Sequence, residues 1–136
     1  MTKKIPANGV ASNADYDFFY AGLERDELLI QQCDACGRLR NPPLPVCPWC
    51  RSPIWHAQAM SGRGEIYTYG VHHHPPLPDL ATPHPYGLVA LDEGVRFFAA
   101  FDGIALDRLA VGLRVRAGFV SRDGVASVRF VEDSAT

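Results

Sequence analysis

The four cysteines of the chain all lie within one stretch, residues 33–50. They occur as two C-x-x-C pairs, Cys33 with Cys36 and Cys47 with Cys50, and ten residues separate the pairs. A C-x-x-C turn directs two sulfurs at one point, and a second such turn can complete a tetrahedron of thiolates around Zn²⁺. A zinc ion with four protein ligands has no open position at which to activate water. The spacing therefore predicts a structural zinc site.

Other interpretations of the cysteine stretch stay open. Two disulfides would require an oxidising compartment. A redox-active C-x-x-C normally lies beside a βαβ pattern, which is absent here. An iron site of the rubredoxin type is chemically possible, because four thiolates accommodate iron as well as zinc. The ten-residue spacer is rich in proline and still leaves room for two short ribbon strands.

The composition indicates a small globular protein. Of its 136 residues, 47% are hydrophobic and 21% are charged, which fits one compact unit or a small module attached to one. No apolar run approaches the roughly 18 residues that a membrane helix needs. The N-terminal residues lack the apolar region of a secretory signal. We therefore expect a cytoplasmic protein without a membrane partner, and the net charge of −2 gives no general attraction to nucleic acid.

A short helix is predicted before the cysteines. Asn13 can cap it, and its apolar positions recur at i, i+3, i+4 and i+7: Tyr16, Phe19, Tyr20 and Leu23. The simplest interpretation is a face packed on the rest of the molecule. The alternative is a partner-binding face formed by Phe18, Phe19 and Tyr20, since so short a helix has little of its own domain to cover. Residues 28–31 read as a strand that enters the first cysteine pair.

The sequence after the cysteines alternates as β-strands do. Five strands are predicted, at residues 64–71, 86–91, 95–101, 112–120 and 125–131. A helical connection, residues 104–110, separates the third strand from the fourth, an arrangement typical of the OB barrel. The predicted fold is mainly β: residues 1–32 form a helical segment and the first ribbon strand, residues 33–60 a rubredoxin-like zinc ribbon, and residues 61–136 a five-stranded OB-fold barrel.

The connection between the first two barrel strands is unusual. Residues 72–85 contain five prolines and four histidines. They could form a stiff surface loop with solvated histidines, or a second metal site. We favour a pre-ordered contact loop, because proline lowers the entropy lost on binding and this loop of an OB barrel often carries ligands. The candidate contact residues in and beside this loop are His72, His73, Pro75, Pro76 and Tyr86.

No catalytic group can be assembled from the sequence. It has no G-x-S-x-G motif, no phosphate-binding glycine loop and no cysteine left over as a nucleophile. We interpret Asp92 and Glu93 as solvated turn residues and His56 as a packed histidine. Residues 61–136 carry a net charge of −2, whereas OB folds that bind single strands use a positive groove with stacking aromatics. Arg114 and Arg116 form one local basic spot, so binding of nucleic acid is disfavoured.

The combination of motifs resembles the zinc-ribbon and OB-fold proteins associated with acyl-CoA metabolism. The matching motifs are CDACG at 33–37, Pro42-Pro43, CPWC at 47–50, SGRG at 61–64, Pro85-Tyr86 and LDEGVR at 91–96. The resemblance covers residues 15–131, although Leu44 stands where the family often has arginine. It implies a non-catalytic accessory subunit that binds a thiolase-like, hydratase or aldolase partner and helps to hold the CoA thioester. The alternative is a free-standing nucleic-acid-binding or regulatory module.

Overall fold

A computed structural model describes residues 15–76 and 81–134. The chain divides into two compact units: the segment up to Met60 with Phe119–Val128, and Ser61–Gly118 with the segment from Arg129 onward. The elements are α1 (Asp17–Leu23), β1 (Leu29–Cys33), β2 (Leu39–Arg40), β3 (Trp55–Ala59), β4 (Arg63–His72), β5 (His84–Leu91), β6 (Arg96–Ala100), a 3₁₀ turn (Leu106–Arg108), β7 (Arg114–Arg122) and β8 (Val125–Glu132). No helix in the described ranges is long and apolar enough to cross a bilayer.

The first unit contains a three-stranded sheet in the order β2-β1-β3. Strand β1 pairs antiparallel with β3 along its whole length, from Leu29 opposite Ala59 to Cys33 opposite Trp55. The spacer between the cysteine pairs holds only the two-residue β2, so the expectation of two strands there was wrong. The physical reason is the proline run at Pro42, Pro43 and Pro45, since proline has no N–H with which to continue a ladder.

Helix α1 precedes this sheet and packs closely on it. Tyr16 occupies the N-cap position without a side-chain cap, and the predicted cap residue Asn13 lies outside the described residues. Gly22 and Leu23 are its buried residues. A Cβ atom on Gly22 would lie 2.7 Å from the Leu29 side chain. A side chain at position 22 would therefore force the buried Leu29 side chain to move where α1 meets β1.

The second sheet has five strands in the order β6-β5-β4-β7-β8. A parallel bridge between Phe101 and Phe130 joins the segment after β6 to β8, so the sheet nearly closes into a barrel. This closure is the OB-fold arrangement, and it confirms the predicted fold class. The interior is apolar: Ile66, Val89 and Val115 are fully buried, and the rings of Phe97 and Phe130 lie 5.9 Å apart.

The predicted helix at residues 104–110 was wrong. Only Leu106–Arg108 form a 3₁₀ turn, and the residues on either side have extended backbone. Ile104 and Leu109 are both buried. Two residues five positions apart would lie about 140° apart around an α-helix. An α-helix could not bury both side chains on one face, whereas an extended segment with a tight turn can.

The carboxylates of the β5–β6 turn are not simply solvated, contrary to expectation. Asp92 accepts two hydrogen bonds from Arg114, each of 3.0 Å. These hydrogen bonds lower the pKa of the Asp92 carboxyl group. Glu93 accepts a hydrogen bond of 2.6 Å from the backbone N–H of Ser61. Asp92 therefore holds the turn to β7, and Glu93 holds it to the segment that precedes β4.

Part of the proline-rich connection belongs to the barrel sheet. Strands β4 and β5 extend further than predicted, and His72 pairs with His84. His84 is 8% exposed, so the interpretation of this histidine as solvated was wrong. Its Nε2 atom has no hydrogen-bond partner among the described residues. Burial, and then the charge of Arg129, lower the pKa of His84 and favour its neutral form.

Candidate metal centre

The four cysteine sulfurs converge on one point. The Sγ atoms of Cys33 and Cys50 lie 3.5 Å apart, and those of Cys36 and Cys47 lie 3.6 Å apart. All four sulfurs lie within 4.8 Å of one another. A tetrahedral ion with metal–sulfur bonds of about 2.3 Å would place its ligands about 3.8 Å apart. The residues therefore fit one tetrahedral metal ion, as the spacing predicted.

The two cysteine turns have the same backbone design. The N–H of Gly37 donates to the carbonyl of Cys33 at 3.0 Å, and the N–H of Arg51 donates to the carbonyl of Cys47 at 2.8 Å. Both donors have positive φ, 79° and 66° respectively. Glycine adopts this conformation easily. Arg51 adopts it despite its side chain, which no sequence motif indicated.

The unequal pKa values of the thiols indicate what a cation would do. The backbone N–H of Cys36 points at the Cys33 sulfur at 3.5 Å and lowers the pKa of Cys33 to about 6. A backbone hydrogen bond from Ser52 lowers the pKa of Cys50, but the Cys33 sulfur and burial outweigh it and raise the pKa to about 11. The Cys50 thiol therefore resists ionisation beside the other three cysteines. A bound dication removes that resistance.

A buried polar pair holds the spacer that carries the second cysteine turn. The side-chain oxygen of Gln31 accepts hydrogen bonds from Arg40 Nε and from the Leu44 N–H, each of 2.8 Å. Arg40 also donates to the Leu44 carbonyl at 3.2 Å. Both side chains are at most 3% exposed. Sequence reasoning missed this pair, and the one available signal was a glutamine within the otherwise apolar start of β1.

His56 is an exposed residue beside the first cysteine turn, so its interpretation as a packed histidine was wrong. Its Nδ1 atom contacts the Asp34 carboxylate, and its Nε2 atom lies 3.1 Å from the side-chain oxygen of Gln32. The three residues connect β1, the first turn and β3. Among the described residues, no nucleophile contacts this histidine.

The aromatic residues of α1 are half-buried. The Phe18 ring lies 4.9 Å from Trp55, and the Phe19 ring lies edge-on to Tyr20 at 5.4 Å. Packing within the unit therefore accounts for Phe18. Phe19 and Tyr20 each keep part of their surface exposed. Their contact with a partner stays a prediction.

The predicted contact residues in the loop between β4 and β5 lie mostly at the surface. His73, Pro75 and Pro76 are exposed, and the Nε2 atom of His72 lies 2.7 Å from the Pro75 carbonyl oxygen. Residues 77–80 of this loop lie outside the described residues. Within the described ranges, the four cysteines form the only cluster of metal-ligating side chains. The second metal site considered for the histidines is absent from these ranges.

The most exposed aromatic side chains were not among the sequence candidates. Phe98 is 64% exposed and lies 5.8 Å from the ring of Tyr86, a predicted contact residue. Trp49, between the last two cysteines, is 54% exposed with the Arg38 guanidinium 5.2 Å from its ring. The alternation in β6 could have identified Phe98 as outward-facing.

Comparisons with known proteins agree with this architecture. Residues 21–56 match the family model of the ChsH2 rubredoxin-like zinc ribbon domain, and residues 57–120 match that of the ChsH2 C-terminal OB-fold domain. The chain also superimposes on a solved chain from the Ltp2-ChsH2(DUF35) aldolase with a TM-score of 0.84 and 35% identity. This superposition covers 93% of the present chain and 98% of the solved one. The chain belongs to the DUF35 family.

Two further relatives differ in length. The benzoylsuccinyl-CoA thiolase subunit BbsA of Thauera aromatica is 31% identical over 110 residues, which are 76% of each chain. A probable enoyl-CoA hydratase alpha subunit of Thermomonospora curvata is 39% identical over 113 residues. Those residues are 83% of the present chain but 35% of the relative. The chain thus spans about a third of that longer protein.

Proposed function

We propose that this DUF35 chain is a non-catalytic accessory subunit of an acyl-CoA-processing enzyme complex. The observation that carries the proposal is the superposition on nearly the whole of a chain from an aldolase that contains a DUF35 subunit. Relatives named as a thiolase subunit and as a hydratase subunit point to the same class of substrate. The chain therefore assists a partner whose own active site transforms the acyl-CoA.

The chemistry of the described residues supports a role without catalysis. A zinc ion held by Cys33, Cys36, Cys47 and Cys50 has all four positions filled by thiolates and stabilises the ribbon only. The remaining candidates are a histidine without a nucleophile and carboxylates bonded to the barrel. The free-standing nucleic-acid-binding alternative has no support from the relatives. The cytoplasmic location and the division at residues 32 and 60 stay predictions.

Two separate regions are proposed to contact the partner, one on each compact unit, as predicted from the sequence. The first consists of Phe18, Phe19 and Tyr20 of α1, and the second of the loop from His72 to Pro85 with Tyr86. Phe19 and Tyr20 are partly exposed and His73, Pro75 and Pro76 are exposed, which supports this proposal. CoA is long enough to be shared between such a surface and the partner.

Phe19→Asp tests the helix part of this surface. An unpaired charge buried at an interface costs about 2 kcal/mol or more, so we expect assembly with the acyl-CoA enzyme subunit to weaken at least thirtyfold. Ala21→Asp is the matched control, because Ala21 is an exposed residue of the same helix. Co-expression with the partner, followed by size-exclusion chromatography and metal analysis, provides the measurement. Wild-type assembly by Phe19→Asp would exclude this helix from the interface.

A further inference from the structure

Arg40 is a buried charge without a carboxylate partner. It is 3% exposed, and none of the ion pairs formed by the described residues includes it. The buried polar residues of the described ranges are Gln31, Arg40 and His84, so no carboxylate is buried with this arginine. A buried cation without a compensating charge is costly. Negative charge of another origin is therefore expected near the guanidinium.

The hydrogen bonds of the guanidinium hold it in place without neutralising it. Its Nε atom donates to the side-chain oxygen of Gln31, and its Nη2 atom donates to the Leu44 carbonyl. Both acceptors are uncharged. The Nη1 atom is buried and has no hydrogen-bond partner among the described residues. One side of the Arg40 guanidinium is thus left without any acceptor.

The strand register places Arg40 on the same sheet face as the metal centre. Arg40 pairs with Gln31 across the β1–β2 ladder, and Gln31 lies two residues before Cys33 on β1. Side chains two residues apart on a strand point to the same face, about 7 Å apart. The Leu44 carbonyl that Arg40 contacts precedes Cys47 by three residues. The guanidinium is therefore near both cysteine turns.

The carboxylate next to the first cysteine turn belongs to the other face of this sheet. Asp34 contacts Nδ1 of His56, whose Nε2 atom lies beside the Gln32 side chain. Gln32 alternates with its neighbours on β1, so this exposed group lies on the face opposite Arg40. Residues 35–64 contain no aspartate or glutamate. Carboxylates close to the cysteines in sequence therefore do not compensate the buried charge.

We propose that Arg40 is the counter-cation of the metal centre. Four thiolates around a divalent ion carry a formal charge of −2, because their four negative charges exceed the two positive charges of the ion. This charge and the guanidinium lie on one face of the same sheet. Charges interact more strongly in a protein interior than in water, so Arg40 stabilises the dianion. The role depends on the four-cysteine site and not on the proposed function.

Iron makes it possible to change the charge of the centre without changing its ligands. Four thiolates accommodate iron as well as zinc, and the formal charge is −1 with Fe³⁺ and −2 with Fe²⁺. A nearby cation stabilises the ferrous form more than the ferric form, and it therefore raises the reduction potential. Both forms are folded around the same four cysteines, so the cost of folding the chain cancels. A purely structural role of Arg40 would leave the potential unchanged.

Arg40→Met in the iron-substituted full chain is expected to lower the reduction potential. The ratio of ferrous to ferric affinity should fall about tenfold, which is about 59 mV for one electron. Arg40→Lys keeps the charge, and its potential should lie closer to that of the parent than to that of Arg40→Met. Arg38→Met is the matched control, because it makes the same change at an exposed arginine whose charge water screens. Its affinity ratio should stay within about twofold of the parent, as measured by voltammetry.

A second variant keeps the test decisive if Arg40→Met does not fold. Gln31→Glu preserves the acceptor for Arg40 and for the Leu44 N–H, and it adds a carboxylate that neutralises the guanidinium in place. It should lower the potential by a similar amount without making the chain easier to unfold. Equal potentials in the parent, in Gln31→Glu and in any folded Arg40→Met protein would overturn the proposal. A decrease in Arg40→Lys as large as that in Arg40→Met would also contradict a role of the charge.

Discussion

Cys47→Ser is expected to abolish metal binding and to unfold the ribbon unit, which is the part of the first compact unit up to Met60. Cys47 is completely buried, and the small unit around it has few apolar side chains beyond β1 with which to form a core. Structural zinc contributes on the order of 10 kcal/mol of apparent binding free energy, which a three-cysteine site would largely lose. Elemental analysis and thermal unfolding of the purified variant measure the effect.

The matched control is Val46→Ser, which introduces the same residue at the exposed position next to the ligand. It should keep one zinc ion per chain and the melting temperature of the parent. If Cys47→Ser retained stoichiometric metal and unfolded like Val46→Ser, the four-cysteine assignment would be wrong. Iron in place of zinc would contradict the choice of ion and leave the ligands unchanged.

Gln31→Leu is expected to destabilise the ribbon unit by about 3 kcal/mol, because it leaves the buried Arg40 charge and the Leu44 N–H without their acceptor. Replacement of the whole buried pair by apolar residues should cost less than the single change. The double variant Gln31→Leu, Arg40→Met should therefore recover part of the loss.

Denaturant unfolding followed by tryptophan fluorescence suits this measurement. Both tryptophans, Trp49 and Trp55, lie in the ribbon unit and report on it alone. Gln58→Leu on β3 is the control, since Gln58 is an exposed glutamine paired across the ladder with Ile30. A loss for Gln31→Leu no larger than that of the control, about 0.5 kcal/mol or less, would contradict a supporting role for the pair.

Features that depend on residues close together along the chain could be predicted from the sequence. The metal site follows from cysteine spacing, and the barrel hairpins follow from their turn residues. At the last turn, Asp123 and Gly124 have φ angles of 53° and 77°, the conformation that an Asp-Gly turn favours. The OB topology was also predicted, from five short strands with one helical connection, although that connection contains only a 3₁₀ turn.

Features that depend on register or on distant partners were not predictable. Arg63 and Arg116 are far apart in sequence, and only the β4–β7 register places them opposite each other. Gln31 and Arg40 resemble surface residues until the fold surrounds them. His84 looked like part of a solvated loop, because nothing local indicates that β5 begins there. In each case tertiary contacts outweigh the local polarity of the residue.

We propose that this chain acts together with an enzyme and catalyses no reaction itself. The direct measurement is turnover of acyl-CoA thioesters by the tagged chain, purified from its source under native conditions and separated by size-exclusion chromatography into complex and free fractions. We predict that an acyl-CoA enzyme subunit elutes with the chain, that this fraction converts the thioester, and that the free chain does not. Turnover by the free, zinc-loaded chain, or a complex without any acyl-CoA enzyme, would contradict the accessory role.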